Sequence, residues 1–254
     1  MKLSNKDYWD TTYEVREELV PISLDGNYSY CDRQHFKILS QTELDGKKIL
    51  EVGGGGSKWI TFLAEKYPNS QFYALDYSTE GCDKLIKYID DNNVKNIKVI
   101  NKDMFHADDL YGRFDVIYSI GVVEHFDDLG AVLEVISKFL NKDGIAFNFI
   151  PNMSGVLGWL TKVFNRPVYD IHNPHDLKSF LSGHDGVNIA EAGYLCSNNF
   201  CILSSCFISK NGFSTFLYKQ LSRFSRCLWW FEDNVFPLPK SKLFSPYIYS
   251  VIRK

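Results

Sequence analysis

Three carboxylates, Glu51, Asp76 and Asp103, each close a short apolar run, and four consecutive glycines, Gly53 to Gly56, follow the first of them almost directly. Four glycines leave no side chain between the run before them and whatever approaches the backbone there. A carboxylate directly ahead of such a turn repels a phosphate and suits a ligand bearing an ammonium or sulfonium. Asp76 lies 25 residues beyond Glu51, at a position from which a carboxylate can accept two hydrogen bonds from a ribose diol. Proton transfer needs a different kind of group. Glu124 and His125 stand side by side, and His172 and His175 follow in the stretch DIHNPHDL. Imidazole titrates near neutral pH, which makes His125 the first candidate for a general base, with His172 and His175 next.

The elements that must position these groups are legible as patterns. Lys48 to Val52 reads as a buried strand, and Trp59, Ile60, Phe62 and Leu63 recur at helical spacing behind Ser57 as N-cap, so the unit is strand, glycine turn, helix. Strands are expected again at Gln71 to Asp76, Ile97 to Ile100, Phe114 to Ile120 and Ile145 to Ile150. Between the last two, a helix carries Leu129, Val132, Leu133, Ile136, Phe139 and Leu140 on one face, with Gly144 as its C-cap. Val187 to Tyr194 and Tyr247 to Ile252 supply a sixth and a seventh strand. Ahead of the first strand, residues 1–46 hold Tyr8, Trp9, Tyr13, Tyr28, Tyr30 and His35, with a helix expected from about Tyr30 to Thr42. These aromatics either cap a ligand or pack on the sheet.

A dinucleotide fingerprint requires glycine at the sixth position of the turn, where Lys58 stands. The series Glu51, Gly53, Gly55 instead resembles the first motif of the class I S-adenosylmethionine-dependent methyltransferases, with Ser57 in place of a third glycine. The resemblance covers residues 47–152. It implies an α/β fold, a doubly wound Rossmann-like seven-stranded sheet in the order 3-2-1-4-5-7-6 with strand 7 antiparallel, and S-adenosylmethionine as cofactor. Carried over residue by residue, Asp76 with Tyr77 beside it takes the ribose, Asp103 and Met104 take the adenine, and Ser119 with Ile120 lines the methionine portion. The chain reads as one domain of residues 1–254. An N-terminal cap (1–46) precedes the core (47–152) and a substrate-side segment (153–186), and an aromatic-rich helical insertion (196–245) precedes the last strand (246–254).

The resemblance also narrows the acceptor. The loop after the fourth strand reads Ser119, Ile120, Gly121, Val122, without the Asn/Asp-Pro-Pro-Tyr signature of base-amine and glutamine methylation. O-methylation of a small molecule, sugar or lipid-linked glycan is the leading expectation, followed by C- or N-methylation. Competing classes are an NAD-dependent Rossmann oxidoreductase, disfavoured by Glu51 and Lys58, and a noncatalytic cofactor-fold binding protein. Some relatives hold a divalent ion through Glu-x-x-Glu-His. Gly121 replaces the first glutamate, leaving Glu124 and His125 as too few ligands, so no metal is expected.

Composition sets outer bounds. A net charge of −3 over 254 residues offers no basic field for nucleic acid. Six cysteines without a CxxC pair read as free thiols in a reducing, cytoplasmic setting. Within the insertion, Phe213, Phe216, Leu217, Leu221, Phe224 and Leu228 share a helix face, with Lys219, Arg223 and Arg226 away from it and Trp229 and Trp230 following. The simpler expectation is a lid or homodimer helix with that face buried by protein. The other is peripheral membrane contact through residues 213–231.

Overall fold

The computed structural model describes residues 2–15, 18–173, 176–207 and 211–254. Two helices come first, α1 (Lys6–Glu14) and α2 (Tyr30–Leu39). The core then alternates strand and helix: β1 (Lys48–Val52), α3 (Lys58–Lys66), β2 (Gln71–Asp76), α4 (Thr79–Asp91), β3 (Ile97–Asn101), β4 (Phe114–Ile120), α5 (Leu129–Phe139) and β5 (Leu140–Pro151). Three short helices follow, α6 (Val156–Phe164), α7 (Arg166–Asp170) and α8 (Leu177–Ser182), before β6 (Asn188–Leu195). The insertion contributes α9 (Ser204–Phe207) and the 23-residue α10 (Gly212–Asn234), and β7 (Tyr247–Arg253) ends the sheet.

The seven strands run in the order β3-β2-β1-β4-β5-β7-β6, with β7 antiparallel to both neighbours. Near-continuous apolar runs such as Phe114 to Ile120 suit a parallel sheet covered on both faces, and two large core clusters lie against it. One contains Ile49, Phe72, Val116 and Phe147, and the other Leu50, Leu75, Ile117 and Ala146. Adjacent residues of one strand therefore serve opposite layers. The in-register pairing of β1 with β2 and β4 sets Glu51 between Ala74 and Tyr118, at the carboxyl ends of the strands.

Two boundary expectations change. The α5 helix stops at Phe139, and Leu140 already pairs with Phe114 as the first residue of β5. Gly144 is not a left-handed cap. A Cβ there would stand 2.9 Å from Leu140 Cδ2, so packing rather than backbone conformation demands glycine. The cap helix expected from about Tyr30 to Thr42 is also shorter, since α2 closes at Leu39.

The insertion is anchored at its return by Asn152, whose amide donates to the carbonyls of Lys242 and Ser245, both at 2.8 Å. Asn152 is buried, so removing it strands two acceptors. Asn152→Ala is expected to lower unfolding free energy by about 1–3 kcal/mol, read as a reduced urea midpoint at unchanged slope.

Candidate active site

A cavity of about 670 Å³ opens at the carboxyl ends of β1, β2 and β4. The glycine turn forms its floor. Gly53 has φ of 75°, and a Cβ there would fall 2.3 Å from Val122 Cγ2. Gly55 donates its N–H to Asp76 Oδ2 at 2.8 Å, and a Cβ there would meet that carboxylate. Both positions therefore require glycine.

Glu51 is enclosed beneath this turn. Ser57 donates to its Oε1 at 2.8 Å and Tyr118 to its Oε2 at 2.7 Å. The same Ser57 oxygen accepts from the N–H groups of Trp59 and Ile60, capping α3. Burial pushes the Glu51 carboxyl up to about 8, against the lowering effect of those two donors. Asp76 accepts from Gly55 N–H and Ser78 N–H, each at 2.8 Å, so it fixes the turn as well as facing the cavity. Burial raises it too.

On the far wall, Asp103 pairs with Lys2 at 2.6 Å and caps the short turn that carries Met104. The Lys2 ammonium also lies 4.1 Å from the Tyr77 ring centroid. Glu51, Gly53, Gly55, Asp76, Tyr77, Asp103 and Met104 all line this one cavity. Ser119 does not. It is fully buried and donates to Asn148 Oδ1 at 2.9 Å, while Ile120, Gly121 and Val122 line the cavity in its place.

His125 lines the same cavity, and its Nδ1 meets the Ile171 carbonyl at 2.8 Å. That carbonyl fixes the proton on Nδ1 and leaves the lone pair on Nε2. Burial, with a smaller contribution from His172, lowers the imidazole to about 4 and keeps it neutral. Nε2 is 3.9 Å from Glu124 Oε1. Glu124 is buried outside the cavity lining, its Oε2 has no hydrogen-bond partner, and burial pushes it up to about 8.

The fold brings the second candidate, His172, beside the first: its ring centroid is 4.9 Å from that of His125 and its Nδ1 meets the Val168 carbonyl at 2.5 Å. One ligand atom from each of Glu124, His125 and His172 falls within 4.8 Å of the others. All three groups were named from the sequence, but only Glu124 and His125 were considered there as metal ligands. The triad can pass a proton or, by its donor set, hold a divalent ion. His175 lies outside the described residues.

The chain ahead of the core supplies residues that sequence reasoning did not assign to the site. Leu3 N–H donates to the His125 carbonyl at 2.8 Å, Trp9 meets the His125 ring edge-on at 5.0 Å, and its indole donates to Ser4 Oγ. Trp9 and Tyr13 line the cavity, whereas Tyr30 and His35 are core residues and Tyr28 is exposed. The only signal in the sequence was the density of aromatics before the first strand.

Comparison with known proteins follows the same outline. Residues 50–146 match the family described as a methyltransferase domain. An uncharacterised protein of Rickettsia prowazekii is 32% identical over 152 residues, which is 58% of this chain and 57% of that protein. The (S)-coclaurine N-methyltransferase of Papaver somniferum is 28% identical over 148 residues, 58% of this chain and 38% of the enzyme. The chain thus spans a little over half of one relative and well under half of the other. A crystal structure of coclaurine N-methyltransferase bound to N-methylheliamine and S-adenosylhomocysteine superimposes with a TM-score of 0.60 at 17% identity, covering 94% of this chain and 77% of that one. At that identity the likeness speaks for the fold.

Asp76→Ala removes an acceptor from the cavity and releases the Gly55 and Ser78 amides. Affinity for S-adenosylhomocysteine, measured by calorimetry, is expected to fall about ten- to a hundredfold. An unchanged dissociation constant would take Asp76 out of the binding site.

Proposed function

We propose that the chain is a class I S-adenosylmethionine-dependent methyltransferase and that it methylates an amine nitrogen of a small molecule, with His125 as general base. The observation that carries this reading is the His125 Nε2 lone pair at the cavity wall, with the buried carboxylate of Glu124 3.9 Å behind it. The cavity volume suits a cofactor together with a modest acceptor. S-adenosylmethionine supplies a methyl group already activated by its sulfonium. Glu51 would hold the cofactor's ammonium, Asp76 and Tyr77 its ribose side, and Asp103 and Met104 its adenine.

The chain's own residues then have two tasks. The glycine turn and the Trp9 and Tyr13 wall fix the direction of approach and exclude water, which is the main requirement of an in-line displacement. An amine arrives protonated and has no lone pair to attack with. His125 Nε2 takes that proton, and the imidazolium so formed is stabilised by ionised Glu124. Glu124 is therefore a positioning and charge-balancing residue. A hydroxyl acceptor, the first expectation from the sequence, would use the same base. The amine is preferred because Glu51 and Glu124 are both buried carboxylates that gain from a cation nearby, and because a 28% identical relative is named for N-methylation.

A panel of secondary and tertiary amines, hydroxylated compounds and isoprenoids, assayed for labelled methyl transfer, separates these readings. Turnover is expected with amines. Transfer confined to hydroxyls restores the O-methyl reading, and cofactor binding without any turnover supports a binding protein. His125→Ala is expected to lower kcat about a hundredfold while leaving the S-adenosylhomocysteine dissociation constant unchanged.

The pH dependence has a defined sign. A carboxyl raised to about 8 is ionised only above that pH, so kcat/KM is expected to rise toward pH 8 and level off beyond it. Glu124→Gln should remove that rise. Turnover is expected to survive exhaustive treatment with a chelator. Loss that Mn²⁺ or Zn²⁺ restores would reassign Glu124, His125 and His172 to a metal.

A further inference from the structure

The α10 helix turns part of its apolar stripe outward: Phe213, Phe216, Leu217 and Phe224 are exposed, while Leu221 packs on the small cluster beneath. The side chains it buries against the protein include Ser222, Ser225 and Trp229. Ser225 accepts the Phe200 N–H at 2.8 Å, and the Trp229 indole donates to the Asn198 carbonyl at 3.0 Å, so this seating is specific. At 100° per residue these buried groups centre roughly opposite Phe213, Leu217 and Phe224. Phe213 is 75% exposed, Phe216 56% and Phe224 54%. A surface helix ordinarily turns such a stripe inward. Here the serines face in and the phenylalanines face out.

Charge decides what the outward face suits. Lys219 and Arg223 are exposed beside the stripe and Arg226 is half-exposed, its guanidinium 4.9 Å from the Tyr28 ring centroid. From Gly212 to Phe231 the helix carries no acid. Its two acids come last and are spoken for, Glu232 by Tyr30 and Ser197, and Asp233 by Arg33. Nearby, α6 packs on the same small cluster as α10 and leaves Trp159, Val163 and Phe164 exposed. No helix among the described residues is long and apolar enough to cross a membrane.

We propose that α10 lies in the plane of an anionic lipid surface, its phenylalanines in the acyl boundary and its cations at the headgroups. An outward apolar face flanked by cations is what such in-plane binding requires. A second copy of the chain is a poorer occupant, because a two-fold contact on this face sets Lys219 and Arg223 against their own like charges. Trp229 stacks on Tyr30 of α2, and His35 of the same helix lies 6.0 Å from Trp59, which lines the cavity. The lipid-facing helix and the active site therefore share one support.

The test is co-sedimentation of the full chain with phosphatidylcholine vesicles, with and without phosphatidylglycerol, at physiological salt. The protein is expected to pellet with the anionic vesicles. Lys219→Glu with Arg223→Glu, and separately Phe216→Ser with Phe224→Ser, should each lower the partition coefficient about tenfold or more. Unchanged S-adenosylhomocysteine binding certifies that each variant is folded. Protein that stays in the supernatant, or pelleting that survives both pairs of substitutions, overturns the proposal. So does a dimer in analytical ultracentrifugation that the phenylalanine substitutions dissociate. Partition is read without turnover, so its failure leaves the methyl-transfer reading standing.

Discussion

A buried carboxylate without a cation organises this fold. Glu51 sits near the end of β1, where Ser57 and Tyr118 donate hydrogen bonds to its two oxygens. Burying a carboxylate costs several kcal/mol unless it is paired, and neutral donors offset only part of that. The chain absorbs the cost by giving each donor a second task. Ser57 caps α3 with the same oxygen, and Tyr118 is the register partner of Glu51 on β4. The amides of Gly53 and Gly54 both reach the Leu75 carbonyl, and Gly55 reaches Asp76. Strand, turn and helix are thereby locked around a carboxyl group that burial holds protonated up to about pH 8.

Glu124 repeats the arrangement on the acceptor side. It is buried, one of its oxygens lacks a partner, and its nearest titratable neighbours are imidazoles. Two carboxyls raised to about 8 in and beside a single cavity make that cavity a place where positive charge is gained cheaply. This links the cofactor and acceptor ends in one electrostatic account. The sulfonium cofactor uses it, and the amine acceptor proposed above would use it too.

Much of this was legible in the sequence because the groups sit at strand ends. Apolar runs ended by an acid mark the carboxyl edge of a parallel sheet, and Glu51, Asp76 and Asp103 meet at one cavity for that reason. Ser119 escaped because β4 is buried on both faces, so no alternation of polarity shows which way a given residue points. His172 was named as a candidate, but its approach to His125 was not legible, because 46 residues separate its neighbour Ile171 from His125 and only the packing of the segment after β5 brings them together. In α10 the periodicity was plain, but periodicity gives the stripe and not the side that meets the protein. Buried Ser225, which accepts the Phe200 N–H, and buried Trp229, which donates to Asn198, decide that side.

The central claim is that Glu51 is protonated until a cationic ligand arrives. Calorimetric titration with S-adenosylhomocysteine at pH 7, repeated in buffers of different ionisation enthalpy, counts the protons exchanged. A carboxyl at about 8 that ionises beside the ligand's ammonium must release close to ~1 proton, and Glu51→Gln must abolish the release. Binding by the unaltered protein with no proton released, or with the same release after Glu51→Gln, would contradict the account.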